Sequence, residues 1–88
     1  MDRPHLVRLV RLCRLISDGG MTVQQLRLKL KASRRTIFRD LRMLEQMGVR
    51  VQLARHQYRL KHRLADCRKK IVDAQIRDLN RLLDAAFR

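Results

Sequence analysis

Arginine side chains dominate one side of a predicted helix that follows Ser33, and their chemistry indicates the kind of ligand. At about 100° per residue, the outer side of this helix holds Arg35, Arg39, Arg42 and Gln46. The opposite side holds the apolar residues Ile37, Leu41 and Leu44. Guanidinium groups pair in a forked geometry with phosphates or with the O6/N7 edge of guanine. The pattern therefore predicts a helix that lies in a groove of duplex DNA.

Side chains in and around this helix divide into two groups by the contacts we expect them to make. We expect base contacts from Arg35, Arg39 and Thr36. We expect phosphate contacts from Ser33, Arg34, Lys31, Lys29, Arg42, Arg55 and Arg59. Free N–H groups at the start of a helix favour anions, which supports the contact at Ser33. Asp40 directly follows Arg39, and we expect it to orient an arginine rather than to touch DNA.

The composition also points to a polyanionic partner. The chain has 22 Lys and Arg against 8 Asp and Glu, a formal net charge of +14. Fifteen of the basic and four of the acidic side chains lie within residues 1–61, which places most of the cationic surface there. Aromatic residues make up only 3% of the chain, too few for a platform that stacks single-stranded bases. Double-stranded DNA is the favoured partner, and sequence-neutral nucleoid or RNA binding is an alternative.

Other function classes lack support in the sequence. No apolar run approaches the roughly 18 residues of a membrane span, and a signal-peptide pattern is missing, so we expect a cytoplasmic, nucleoid-associated protein without membrane contact. His5, His56 and His62 show no metal-ligand spacing, and the chain has no catalytic grouping or Gly-rich phosphate loop. We therefore expect no enzyme, cofactor or metal. Cys13 and Cys67 occupy apolar helix positions and are expected to be buried thiols in a reducing compartment.

Three predicted helices position the arginines. Apolar residues at helical spacing between residues 6 and 16 indicate a first helix. Thr22 is placed to cap a short helix at about 23–30, and Ser33 is placed to cap the arginine-bearing helix at 34–47. Two helices joined by about three residues are typical of a helix-turn-helix unit.

Beyond Gly48 the apolar pattern changes from helical to alternating, and it returns to helical near residue 63. The alternation at 49–53 and 58–60 predicts a β-hairpin whose tip is the segment 54–57, although this segment contains neither Gly nor Asn. Within residues 63–86, apolar residues recur at helical spacing along one side, and this pattern predicts a C-terminal helix.

The predicted C-terminal helix has two possible uses. It can pack on the first helix of its own chain, or it can pair with its copy in a homodimer, and we favour the homodimer. The expected dimer contacts are Leu64, Ile71, Val72, Ile76, Leu79, Leu82 and Leu83. A dimer would place two DNA-binding helices about one turn of DNA, or a multiple of it, apart.

The run from residue 6 to residue 60 resembles the winged helix-turn-helix module that opens DeoR-like and WYL-domain bacterial transcription regulators. The resemblance rests on S-R-R-T-I-F-R-D-L at 33–41, L-E-Q-M-G-V at 44–49 and Y-R-L at 58–60. It covers roughly 55 of the 88 residues.

The resemblance implies a winged helix-turn-helix over 1–61, with a three-helix core and a small β-hairpin wing. Together with the C-terminal helix that the apolar pattern predicts over 62–88, this gives an expected mainly α fold. The resemblance also implies sequence-selective DNA binding in the bacterial cytoplasm, usually as a dimer, to regulate transcription, and we expect such a regulator from a bacterium or phage. Carried over to this chain, the groove-facing and phosphate-facing set is Ser33, Arg34, Arg35, Thr36, Arg39 and Asp40.

The chain departs from that family in four places. Arg27 stands where such modules usually have a small residue, and Lys31 stands where the turn usually has Gly. The wing is short and lacks glycines, and one helix replaces the sensor domain expected downstream, so no small-molecule effector is expected. The competing interpretation is a protein-interaction or assembly module that uses the first and the C-terminal helices.

Overall fold

In the computed structural model, which describes residues 3–87, the chain folds into four helices and one antiparallel hairpin. The elements are α1 (Arg3–Ser17), α2 (Val23–Leu30), α3 (Arg34–Gln46), β1 (Val51–Ala54), β2 (Gln57–Leu60) and α4 (Leu64–Ala86). The predicted mainly helical fold with a small hairpin and a C-terminal helix is confirmed at this level. The arginine-bearing helix ends one residue earlier than predicted, because Met47 is its C-terminal cap and Gly48 turns the chain at a φ of 90°.

Side-chain caps fix the starts of α2 and α3. The Thr22 hydroxyl accepts a hydrogen bond from the Gln25 backbone N–H at 3.2 Å, and the Gln25 side chain accepts one from the Thr22 N–H at 2.9 Å. Ser33 Oγ accepts a hydrogen bond from the Thr36 N–H at 3.1 Å. Lys31 ends α2 in the left-handed conformation, with a φ of 51°. The turn between α2 and α3 is therefore short and closely defined.

All four helices contribute to a hydrophobic core. Its side chains with no exposed surface are Leu9 and Leu12 of α1, Leu26 of α2, Ile37 and Leu44 of α3, Val49 and Cys67. Buried apolar area of this kind is the main favourable term in folding. The core fixes which side of α3 faces inward.

The two cysteines face each other across the contact between α1 and α4. Both thiols are reduced and buried. Burial, together with a smaller contribution from the nearby Cys67, raises the pKa of the Cys13 thiol to about 12. Burial likewise raises the pKa of the Cys67 thiol. The predicted burial of both thiols is confirmed.

The hairpin turn is tighter than the sequence predicts. Ala54 pairs with Gln57, so the tip is the two residues Arg55 and His56 rather than the segment 54–57. Both tip residues are left-handed, with φ of 52° and 65°. Left-handed backbone at both positions matches the right-handed twist of the paired strands, although neither Arg nor His favours this conformation.

Replacing Arg55→Asn together with His56→Gly is expected to stabilise the protein by about 1–2 kcal/mol. The reason is that the introduced Asn and Gly tolerate left-handed backbone better than Arg and His do. The thermal unfolding midpoint should rise by several degrees. Arg55→Ala is the control, because it removes the same charge and keeps an unfavourable residue at the turn. A midpoint that stays unchanged or falls would contradict this description of the turn.

A backbone bridge that the sequence did not predict ties the hairpin to the loop before α2. The Met21 N–H donates to the Tyr58 carbonyl at 3.1 Å, and the Tyr58 N–H donates to the Met21 carbonyl at 2.7 Å. This bridge holds β2 beside the start of the α2–α3 unit.

The C-terminal helix α4 changes its environment along its length. In its first half, Cys67, Ile71 and Ala74 pack into the core against α1. From residue 76 to residue 87 every side chain is exposed. The described chain measures 48 × 25 × 16 Å. Two of the expected dimer contacts pack mainly within the chain: Ile71 is only 4% exposed, and Leu64 is half-buried against the core, so a dimer contact by either stays a prediction.

Candidate nucleic-acid interface

The outer side of α3 is an exposed arginine face, which we define as Arg34, Arg35, Arg39 and Arg42. Together with Phe38 these residues line one open groove. Ile37 and Leu44, on the other side of the same helix, have no exposed surface. The side chains assigned to base and phosphate contacts on α3 are thus brought together, and DNA contact itself stays a prediction.

The side chains of Ser33 and Thr36 form hydrogen bonds with each other at the start of α3, which uses part of their capacity to bind DNA. The Ser33 hydroxyl donates to Thr36 Oγ1 at 3.0 Å and also accepts from the Thr36 backbone N–H. Thr36 is half-buried, so it borders the arginine face rather than projecting from it. Its expected base contact is consequently the least accessible of the three.

The remaining expected phosphate contacts lie on two other elements. Lys29 and Lys31 are exposed at the C-terminal end of α2. Arg55 and Arg59 are exposed on the hairpin. Cations therefore lie on the helix before α3 and on the hairpin after it as well as on α3.

Asp40 does not belong to the groove-facing set, and this expectation was wrong. Its side chain has no exposed surface and faces α1. Arg8 donates from Nε to Oδ2 at 2.5 Å and from Nη2 to Oδ1 at 3.1 Å. His5 Nε2 lies 3.0 Å from Oδ1. Asp40 does hold an arginine in place, but that arginine is Arg8 of α1 and not Arg39.

This ion-paired cluster of Asp40, Arg8 and His5 connects α3 to α1. A forked pair of hydrogen bonds between an arginine and a carboxylate is strongly directional. Because the carboxylate is fully buried, the pair fixes the rotation of α3 about its own axis relative to α1. The spacing carried a signal for this burial, since Asp40 follows the core residue Ile37 by three positions.

Phe38, like Arg8, is a site residue that sequence reasoning missed. The guanidinium carbon of Arg34 lies 5.4 Å from the centre of the Phe38 ring, within the range of a cation–π contact. Phe38 also lines a second groove between α3 and the hairpin, whose other lining residues are Leu41, Arg42, Glu45, Val51, Leu53 and Tyr58.

An apolar surface lies away from the arginines, between α1 and α4. Its groove is lined by Leu6, Val10, Ile71, Val72, Gln75, Ile76 and Leu79. The exposed Leu82, Leu83 and Phe87 continue this surface along α4. This is the surface on which an interaction-module interpretation depends.

No protein family, curated protein sequence or solved structure was found to match this chain. Over residues 3–87, none of the helices combines the length and apolar character needed to cross a membrane. Within the same range, no three His, Cys, Asp or Glu side chains are grouped so that they could hold a metal ion. A function for this chain is therefore proposed from its own residues.

Proposed function

We propose that this chain binds double-stranded DNA in a sequence-selective manner and regulates transcription in a bacterium or phage. In this proposal the fold is a winged helix-turn-helix, α3 enters the major groove, and the hairpin is the wing on the backbone. The observation that carries the proposal is the division of α3 into a fully buried apolar side and an exposed arginine face.

The dimensions of α3 suit this role. An α-helix with its side chains is about 10–12 Å across, and the major groove is about 12 Å wide. Arg35 and Arg39 are one turn apart, so both can point to base edges along one groove. Lys29, Arg55 and Arg59 would contact phosphates on either side, which supplies affinity that does not depend on sequence.

The test is a selection of bound sequences from random duplex DNA, followed by titration of the selected duplex at several salt concentrations. We expect one recurring motif and a log–log slope of about −0.9 for each phosphate neutralised. A sequence-neutral nucleoid or RNA binder would give the slope without the motif. Weak binding that does not saturate would contradict DNA binding altogether.

We also propose that the protein acts as a homodimer through the apolar surface of α1 and α4. Val72, Ile76, Leu79 and Leu83 follow the alternating four- and three-residue spacing of a helix–helix seam. Short helices without tertiary contacts are marginal in water, so the exposed half of α4 gains stability from a partner.

Charge favours a second copy as that partner. Residues 72–87 carry three aspartates and two arginines, whereas the whole chain has a net charge of +14. Two copies can therefore meet at this segment with the least repulsion between their cationic surfaces. The exposed half of α4 continues directly from the groove between α1 and α4. In a two-fold dimer, the exposed half of α4 of each copy can therefore lie in the groove of the other.

Leu79→Glu is expected to weaken self-association at least about 30-fold, the loss typical of a central interface residue. Sedimentation equilibrium should give about twice 10.5 kDa for the unchanged protein and 10.5 kDa for the variant. Ala85→Glu is the matched control, because it adds the same charge on the opposite side of the same exposed segment. An unchanged protein that stays monomeric would contradict the dimer and favour a different protein partner for this surface.

A further inference from the structure

Phe38 is an apolar side chain exposed within a cationic surface. It is 38% exposed, and Arg34, Arg35, Arg39 and Arg42 surround it in the groove on α3. It is the fifth residue of α3, within the N-terminal part of a groove-bound helix that reaches base edges. Its position therefore suits readout of a base.

Only part of the Phe38 ring packs against the core of the protein. At helical spacing Phe38 lies about 60° from both Arg35 and the core residue Leu41, so it stands at the border between the arginine face and the core. Ile37 and Leu44 are fully buried, and they already fill the inward side of α3. Exposed aromatic surface is unfavourable in water, which means that covering it contributes to binding.

The hairpin extends this apolar spot. Leu53 is 57% exposed, and it lines the groove between α3 and the hairpin that Phe38 also lines. Arg42 belongs to both grooves. Phe38 and Leu53 thus give this groove an apolar lining beside Arg42, a cation that can hold a phosphate or a guanine edge.

We propose that Phe38 is an apolar subsite for the C5-methyl group of thymine in the major groove. The methyl group of thymine is the apolar group that base pairs present there, and phenylalanine is among the side chains suited to it. The guanidinium carbon of Arg34 lies 5.4 Å from the centre of the ring, within the range of a cation–π contact, so a cation adjoins this subsite. The inference rests on the proposed function and adds thymine to the guanine contacts expected from Arg35 and Arg39.

The test removes only the methyl group. In the duplex selected from random DNA, each thymine is replaced in turn by deoxyuridine, which pairs identically and lacks the C5-methyl. We expect one replacement to weaken binding about fourfold, the effect of leaving one buried methyl group uncovered. In Phe38→Ala the same replacement should change affinity by less than about 1.5-fold, because the subsite is gone.

The comparison does not depend on how stable the variant is. Each measurement is a ratio of two affinities for one protein preparation, so a smaller folded fraction cancels. Leu28→Ala is the matched control, since Leu28 is 70% exposed on α2 and lies outside both grooves. This control should keep the full response to deoxyuridine.

Two results would overturn the subsite while leaving DNA binding intact. One is selective binding that no deoxyuridine replacement weakens, and the other is a Phe38→Ala protein that keeps the response of the unchanged protein. Failure to select any duplex overturns both this inference and the proposed function.

Discussion

Changing Arg35→Ala together with Arg39→Ala is expected to weaken binding to the selected duplex at least about 30-fold. Each bidentate contact between a guanidinium and a base contributes about 1–3 kcal/mol of discrimination. Because both side chains are exposed opposite the buried Ile37 and Leu44, their loss should leave the fold intact. Fluorescence anisotropy with the selected duplex and a scrambled duplex measures both affinity and preference.

The control for this variant removes two arginines elsewhere. Arg14→Ala with Arg63→Ala changes the net charge equally, at exposed positions outside both the arginine face and the segment 72–87. We expect it to lower affinity for the selected and scrambled duplexes by the same small factor, since it alters only the general attraction. If the two double variants behave alike, α3 does not read sequence.

Removing the guanidinium of Arg8 is expected to have the largest effect on stability. Arg8→Met leaves the Asp40 carboxylate buried with His5 as its remaining partner in the cluster. Removing one partner of a buried ion pair costs about 3–5 kcal/mol, and the lower end applies here because Arg8 itself is 27% exposed. The free energy of unfolding from urea denaturation measures the loss.

A second substitution tests whether the uncompensated charge is the cause. Arg8→Met combined with Asp40→Leu should recover most of the lost stability, because apolar residues often replace a buried ion pair without cost. Arg11→Met is the control on the exposed side of α1, and it should change the free energy of unfolding by less than about 0.5 kcal/mol. A double variant no more stable than Arg8→Met would contradict the role given to this pair.

Local patterns in the sequence predicted much of the fold. The spacing of Ile37 and Leu44 fixed the inward side of α3, and the hydroxyls of Thr22 and Ser33 marked the starts of two helices. Each of these signals lies within a few residues of its structural consequence. For the same reason, the exposure of Arg35 and its neighbours on α3 was predictable.

The features that the sequence did not reveal depend on contacts between distant residues. The Arg8–Asp40 pair joins positions 32 residues apart, and no local pattern links them. The Met21–Tyr58 bridge likewise joins a loop to a strand.

The division of α4 was also hidden from the sequence. Periodicity alone cannot tell which apolar side meets α1, and adjacent residues differ sharply there, with Ile71 at 4% and Val72 at 54% exposed. The exposure of Phe38 was missed because phenylalanine is a typical core residue, although helical spacing places it about 60° from Arg35, at the edge of the arginine face.

The most direct test of a groove-bound α3 is protection of guanine N7 from dimethyl sulfate on the selected duplex. N7 faces the major groove, where Arg35 and Arg39 are expected to cover it. We predict that the unchanged protein protects guanines within each bound motif and that the Arg35→Ala, Arg39→Ala variant, at saturating concentration, leaves them reactive. Guanines that stay fully reactive under the bound, unchanged protein would contradict the placement of α3 in the major groove.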